Sequence, residues 1–287
     1  MQNLDDIVYV NGEFLRARDA KISIFDRGFI FGDGIYEVVP VINSKLIDKS
    51  DFWDRFCSSL EKIEINLEIN KQEIENIAYE LIYKNNIKEG AVYIQVTRGE
   101  AFRNFIFLEN LKPTIVAFVY KTEILNHPKL QTGIKMISTP DLRWKRRDIK
   151  SISLLAQCMA KTYAYKAGVD ECLMIENGFV TECGSSSAFI IKNGVLLTKP
   201  LSNEILPGIR RKIILNLAEK LGLEVRLREF DLDEVYRADE VFISAATLLI
   251  LPVISVDEKL INGGKIGKFT VKLRELYVDK IKTEVGF

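Results

Sequence analysis

The chain has 287 residues, 47% of them hydrophobic and 28% charged, enough to bury a core in one large domain or two of ordinary size. Forty lysines and arginines balance forty aspartates and glutamates, which removes the electrostatic argument for nucleic acid or an anionic membrane as partner. The single histidine, His127, sits directly before Pro128 in a connector-like setting, so a Ser-His-Asp triad, a histidine-rich metal site or a kinase catalytic loop has nothing else to build on. No apolar run is long enough to span a bilayer, and the acidic stretch from Met1 to Asp6 lacks a signal-peptide core. Cys57, Cys158, Cys172 and Cys183 are scattered without a CxxC pair, which argues against a disulfide framework or a zinc knuckle and suits a reducing cytoplasm. There is no P-loop and no GxGxxG after a strand. An enzyme of this composition needs a base other than histidine. Lysine partnered with a carbonyl cofactor is the usual replacement.

In chain order, Ile7 to Leu15 alternates around Asn11-Gly12, a hairpin signal. A glycine-rich turn, Asp26 to Gly34, precedes a strand over 35–42. The stripe Phe52, Phe56, Leu60 and Ile63 predicts a helix over 51–63, and Ile74, Ile77, Ala78, Leu81 and Ile82 predict a second over 71–83. Strands follow at 91–97 and 114–120, with a loop over 98–112 longer than a turn demands. The polar segment 122–129 reads as a linker between domains 1–121 and 130–287. The second domain opens with a strand at 134–138. The helix after Lys150 is expected to bury a stripe of Ile152, Leu155, Ala156, Met159, Ala160 and Tyr163, with Gly168 as its cap. Asn177-Gly178 and Asn193-Gly194 each sit between strand-like runs, which argues for antiparallel structure. Pro207-Gly208 opens a helix over 209–221, strands follow at 224–227 and 240–244, and a last helix runs around 265–282. The sum is two α+β domains, with any cofactor expected between them.

The chemistry concentrates between Asp141 and Ala188. Lys150 ends an irregular stretch just before a helix, and Glu182 closes a hairpin strand ahead of the small-residue run Gly184 to Ser187. An amine able to form a Schiff base, a carboxylate and a small-residue loop are what a pyridoxal phosphate site needs. Taken singly, each residue has a plainer reading: Lys150 is a solvated lysine beside Asp148, and Glu182 is a surface glutamate. Lys145 is set aside because it lies in a basic cluster with Arg146 and Arg147 that reads as exposed. Arg210, Arg211 and Lys212 crowd the first turn of the 209–221 helix, where cations oppose the dipole. Either a bound phosphate uses the free N–H groups there, or these side chains swing into water. Arg55 is either an i,i+4 partner of Asp51 or an anion ligand. Tyr36 is either core or cofactor contact, and Arg103 is either an exposed loop residue or a carboxylate clamp.

Several segments in order carry a resemblance: Asp26-Arg27-Gly28-Phe29 through Gly32-Asp33-Gly34-Ile35-Tyr36-Glu37, Tyr93 to Gly99, Asp141 to Leu155, Val180-Thr181-Glu182 with Ser185-Ser186, and Pro252-Val253. Over nearly its whole length the chain resembles the class IV aminotransferases, the fold type IV enzymes that use pyridoxal 5′-phosphate, and within them the branch acting on D-amino acids. The resemblance implies a two-domain α+β fold with the cofactor in the cleft between domains. It makes Lys150 the amine that carries the cofactor and shuttles a proton, and Glu182 the partner of the pyridine nitrogen. Arg55, the backbone at Ile209 and Arg210, and the turn Ala245-Ala246-Thr247 would hold the phosphate, with Ser185 and Ser186 close to the cofactor. Tyr36 and Val38 would shape the substrate pocket. Arg103, with Phe105 beside it, would reach the substrate carboxylate from the partner subunit of a homodimer. The implied reaction is ping-pong: a D-amino acid such as D-alanine gives its amino group to a 2-oxo acid such as 2-oxoglutarate, yielding D-glutamate. The implied partners are these small molecules and a second copy of the chain, with no metal, nucleic acid or membrane, in the cytoplasm.

Three positions depart from the family's pattern. Phe105 replaces a histidine, Ala245 and Ala246 replace hydroxyl residues, and Ser187 replaces an asparagine. Two sister activities stay open: a branched-chain L-amino-acid aminotransferase and the lyase that makes 4-aminobenzoate from aminodeoxychorismate. The Phe31-Gly32-Asp33-Gly34 turn and the serine-rich later segment disfavour the first. A catalytically silent binding protein on the same fold would be expected to lack Lys150 or Glu182.

Overall fold

The computed structural model describes residues 3–286, so Met1, Gln2 and Phe287 lie outside the described residues. The described chain forms two compact units, one of residues up to 123 with 149–153, the other of 124–148 with 154–286.

The first unit is a six-stranded sheet with helices. In chain order it contains β1 (Ile7–Val10), β2 (Glu13–Arg16), α1 (Arg27–Phe31), β3 (Gly34–Ile42), β4 (Lys45–Leu46), α2 (Lys49–Lys62), α3 (Lys71–Lys84), β5 (Glu89–Thr97) and β6 (Thr114–Lys121). The sheet order is β2-β1-β6-β5-β3-β4, antiparallel throughout. Asn11 and Gly12 turn the first hairpin with φ of 48° and 105°, the left-handed values that such a two-residue turn requires. β3 and β5 pair without a break from Gly34 with Thr97 to Ile42 with Glu89. Helix α2 buries Phe52, Trp53, Phe56 and Leu60, each worth roughly 1.5–3 kcal/mol of apolar burial. Asn70 and Glu73 form a reciprocal capping box that starts α3.

The second unit is built on a nine-stranded sheet. It contains β7 (Ile134–Pro140), α4 (Leu155–Lys166), β8 (Glu171–Glu176), β9 (Phe179–Cys183), β10 (Ser187–Lys192), β11 (Val195–Thr198), α5 (Ile209–Lys220), β12 (Glu224–Leu227), α6 (Leu232–Tyr236), β13 (Glu240–Ala245), β14 (Leu249–Val256), β15 (Lys259–Leu260) and α7 (Lys268–Val285). The order is β12-β11-β10-β13-β14-β7-β8-β9, with β15 against β14. The β14–β7, β7–β8 and β11–β12 pairs are parallel, so the sheet is mixed. Its core centres on Met136, Leu173, Val180, Ile190, Phe230, Ile243 and Val253.

Two expectations fail locally. Leu155, Met159 and Tyr163 of α4 are exposed, whereas Ala160 and Ala164 are buried against Cys172 and Met174. The helix packs on its small residues because they allow close approach to the sheet, and its large apolar stripe faces outward. Arg147 is not part of an exposed basic cluster. It is buried, donating to Glu176 at 2.7 Å and to the Arg143 carbonyl. The glycine-rich turn also contains the short helix α1, which its sequence does not announce. Asp26 caps this helix by accepting the Gly28 N–H at 2.8 Å.

Candidate active site

Lys150 belongs to the first unit because residues 149–153 add a strand-like edge to β3. The Tyr36 N–H donates to the Lys150 carbonyl at 3.0 Å, Ile152 N–H donates to the Gly34 carbonyl at 3.1 Å, and Ile35 bridges Ser151. The Lys150 N–H donates to Ser59 Oγ at 3.3 Å. With its backbone fixed on both sides, the half-buried Lys150 side chain places Nζ 4.2 Å from the centre of the Tyr36 ring. Tyr36 and Val38 alternate with buried Ile35, Glu37 and Val39, so they share the opposite face of β3. On that face Tyr36 stacks on Tyr93 at 5.4 Å and Tyr93 on Phe118 at 4.6 Å. Burial pushes the Tyr93 phenol well above its ordinary value. Tyr93 and Phe118 were not singled out in the sequence, although their alternation with buried neighbours placed them on one face.

Arg55 makes a bidentate ion pair with Glu37, Nε to Oε1 and Nη2 to Oε2, each 2.7 Å. Glu37 has no exposed surface. Sequence reasoning overlooked it. The signal was a carboxylate on the buried face of an apolar strand, which demands a cation.

The long loop is rooted in buried charge. Asp33 accepts from Arg27 Nε at 2.7 Å and from Arg98 Nε at 2.8 Å. Arg27 in turn donates to the Asn104 carbonyl at 2.6 Å, and Arg98 lies 3.6 Å from the centre of the Phe107 ring. Gly99, with φ of 100°, closes the root, and a Cβ there would meet the Lys112 carbonyl oxygen at 2.0 Å. This frame carries exposed Arg103, whose guanidinium lies 5.0 Å from the Phe105 ring and 5.8 Å from the Phe31 ring.

The second unit holds Glu182. Its carboxylate is buried and accepts from Arg143 Nη1 and from the Leu206 N–H at 3.3 Å. Arg143 also donates to Asp141 through Nε at 2.9 Å and Nη2 at 2.7 Å, and the Thr181 hydroxyl donates to Asp141 at 2.6 Å. Burial pushes the Glu182 carboxyl up and the Arg143 cation opposes it. Burial likewise works against Arg143, yet the Glu182 and Asp141 carboxylates together raise it above its ordinary value. The pair is therefore read as ionised: arginine does not give up its proton in a protein, and it needs the counter-charge.

Ser185 is exposed and accepts from Lys161 Nζ at 3.2 Å while donating to Glu171 at 3.1 Å. Buried Ser186 accepts the Cys183 N–H on its carbonyl at 2.8 Å. Helix α5 starts at Gly208 with no side-chain cap, so its first N–H groups, including that of Ile209, are offered without a competing hydroxyl. Arg210 and Arg211 do not swing into water. Both are buried, Arg210 donating to Tyr277 Oη at 2.5 Å and to the Ala246 carbonyl at 3.0 Å, and Arg211 to the Lys199 carbonyl at 2.9 Å. Ala246 and Thr247 lie in the half-buried turn between β13 and β14, which follows half-buried Ala245, the last residue of β13. Ser244, just before it, pairs in register with Ser187, so the two side chains share one sheet face. The Ser187 hydroxyl on that face abuts Gly208, 2.7 Å from where a Cβ would sit. The Ser244 hydroxyl is buried with no hydrogen-bond partner among the described residues. Among those residues no cluster of metal-ligating side chains is found, and no helix is long and apolar enough to cross a membrane.

Known proteins resemble this chain in sequence and in fold. The family described as "Amino-transferase class IV" matches residues 34–256. D-alanine aminotransferase of Staphylococcus aureus (strain N315) is 39% identical over 269 residues, covering 93% of this chain and 95% of its own. That of Listeria monocytogenes serotype 1/2a (strain 10403S) is 37% identical over 281 residues, covering 97% of each. Among solved structures, the branched-chain amino acid aminotransferase of Escherichia coli superposes with a TM-score of 0.88 at 24% identity, over 96% of this chain and 94% of that one. The branched-chain aminotransferase of the archaeon Thermoproteus uzoniensis, solved with norvaline, gives 0.85 at 22% identity, over 98% and 95%. At these identities the structural likeness speaks for the fold.

Proposed function

Because the chain belongs to the class IV aminotransferase family, we propose that it is a pyridoxal 5′-phosphate-dependent transaminase that moves the amino group of a D-amino acid, D-alanine foremost, to a 2-oxo acid such as 2-oxoglutarate. The observation that carries the chemistry is Glu182, a buried carboxylate kept charged by Arg143. A buried ionised acid is what a protonated pyridine nitrogen requires as partner. The substrate class rests on the full-length relatives named for D-alanine.

Each unit, taken by itself, has residues suited to the cofactor. The uncapped start of α5 and the unpartnered Ser244 hydroxyl are donors suited to a phosphate. Arg55 adds a cation whose plane Glu37 fixes. When bound, the cofactor supplies an electron sink for the pair left on the substrate α-carbon. Lys150 Nζ would be the base that takes and holds the proton from the substrate α-carbon. The Tyr36 ring 4.2 Å away confines that amine and shields it from water on one side. Ser185, Ser186, Ile209, Arg210, Ala245, Ala246 and Thr247 complete the cofactor's contacts in this reading, and Val38 and Tyr36 bound the side-chain pocket. Arg103 of a partner subunit, with Phe105, takes the substrate carboxylate. We accordingly assign a homodimer. Exposed Phe29, Phe102, Phe105 and Ile106 in the first unit support it, since apolar side chains gathered on one loop and one helix mark an interface. We place the enzyme in the cytoplasm, consistent with four unpaired cysteine thiols.

One observation favours a second reading. Phe105 makes the carboxylate clamp more apolar, as a branched-chain L-amino acid would tolerate. An absorption spectrum of purified protein with pyridoxal phosphate separates the two. A cofactor band converted by D-alanine and restored by 2-oxoglutarate is the expected result. A band answering only L-leucine moves the protein to the branched-chain reading, and no band, or one unaltered in Lys150→Ala, removes Lys150 from its role.

A further inference from the structure

The turn after β13 has no side-chain donor at Ala245 or Ala246, so those positions can meet an anion only through backbone N–H groups. Such donors are effective only if the backbone is held still. Leu249, which opens β14 directly after the turn, has φ of 56°, a left-handed conformation that a bulky L-residue avoids without outside support. The support comes from one arginine. Arg274 of α7 donates through Nη1 to the carbonyls on either side of Leu249, Leu248 at 2.8 Å and Ile250 at 2.6 Å. It also donates through Nη2 to the Ile124 carbonyl at 2.6 Å. One turn along α7, the Tyr277 hydroxyl accepts from Arg210 Nη1 at 2.5 Å, and Arg210 Nη2 reaches the Ala246 carbonyl at 3.0 Å. All three side chains are buried. Arg210 lies in the first turn of α5, where its charge opposes the helix dipole, a placement that needs such partners.

We propose that Arg210, Tyr277 and Arg274 form a clamp that grips the carbonyls of the 245–250 turn, aims its N–H groups at the cofactor phosphate, and ties that turn to the start of α5. The three are positioning residues: they hold the two sets of backbone donors at a fixed separation, and none needs to touch the phosphate through its side chain. The inference rests on the cofactor reading given above. It makes this half of the phosphate cup depend on α7, an element with no other part in the chemistry.

The test uses full-length protein freed of cofactor, in wild type, Tyr277→Phe, Arg210→Met and Arg210→Lys. Binding of pyridoxal phosphate is measured against pyridoxal, which lacks the phosphate, and amide hydrogen exchange is followed over 245–250. Loss of the Arg210 bond should weaken pyridoxal phosphate about tenfold in Tyr277→Phe, and Arg210→Met, which also loses the bond to the Ala246 carbonyl, should weaken it at least as much. Pyridoxal affinity should stay level, exchange should quicken over 245–250, and Arg210→Lys should recover most of both. Equal weakening of the two ligands, or exchange over 245–250 that does not change, overturns the clamp. Wild-type protein that binds neither ligand overturns the cofactor reading and, with it, the clamp's purpose. The exchange measurement separates that failure from failure of the clamp itself.

Discussion

Glu37 shows how much one buried charge decides. It lies on the strand face shared with Ile35 and Val39 and has no exposed surface, so its charge depends on Arg55. Glu37→Gln removes the counter-charge and leaves the guanidinium buried. A loss of roughly 3–5 kcal/mol is expected in urea unfolding of the cofactor-free protein. Added phosphate should recover part of it if Arg55 is an anion ligand. Asp141 gives the pH counterpart. Burial alone would raise its carboxyl, but Arg143 and the Thr181 hydroxyl override this and hold it below the usual carboxylate range. A lowered native value means that the stabilisation is complete above the unfolded value of about 3.9 and is lost as pH falls through the native one. Asp141→Asn should therefore be less stable than wild type at pH 7, and the gap should close on acidification below about pH 4. A gap that is constant with pH would mean that Asp141 acts by packing alone. Lys150 and Glu182 could be picked out in the sequence by residue type and order, but Glu37, Arg143 and Asp141 could not be connected to Arg55 and Glu182. Ion-pair partners 18 and 39 residues apart leave no local pattern.

At the scale of elements, the long loop is the part most dependent on distant support. Asp33 pairs with both Arg27 and Arg98, and those two arginines hold Asn104 and Phe107. Asp33→Asn should leave the sheet intact and free the loop. Limited proteolysis should then cut within 100–112 many times faster, while far-ultraviolet circular dichroism is unchanged. Loss of the sheet signal would instead make Asp33 a determinant of the whole unit. Phe105 belongs to the same loop. Phe105→His restores a donor beside Arg103, and a hydrogen bond to a charged group is worth about 1.5–3 kcal/mol. A lower KM for D-alanine, by about tenfold or more, is expected with little change in kcat. An unchanged KM would mean that the carboxylate does not lie beside residue 105. Strand pairs and their Asn-Gly turns were legible because alternation and turn chemistry are local. Helix α4 was misread because periodicity reports an apolar stripe without saying what covers it. Ala160 and Ala164 pack on Cys172 and Met174, and the larger stripe is left outside. Burial of Arg210 and Arg211 was equally invisible, since their acceptors, the Tyr277 hydroxyl and the Ala246 and Lys199 carbonyls, lie on other segments of the chain.

At the scale of the molecule, the two units differ in what they leave outside. The first exposes Phe29, Phe102, Phe105 and Ile106, and the second exposes Leu155, Met159 and Tyr163 on α4. Singly exposed apolar residues need no explanation, but sets confined to one loop and one helix face do. A second copy of the chain is the occupant that the proposed function requires, because Arg103 then serves a neighbour's substrate. Wild-type protein should sediment at twice the chain mass. Phe102→Glu should shift it toward monomer by burying a charge in the contact, since each buried unpaired charge costs several kcal/mol. The decisive comparison is activity per chain across that shift. If activity falls as the dimer dissociates while the cofactor stays bound, the carboxylate clamp comes from the partner. If the monomer keeps full activity, Arg103 cannot be supplied by a second copy, and carboxylate recognition must come from the chain that holds the cofactor. The Phe105→His result would then have to be reassigned to that same chain.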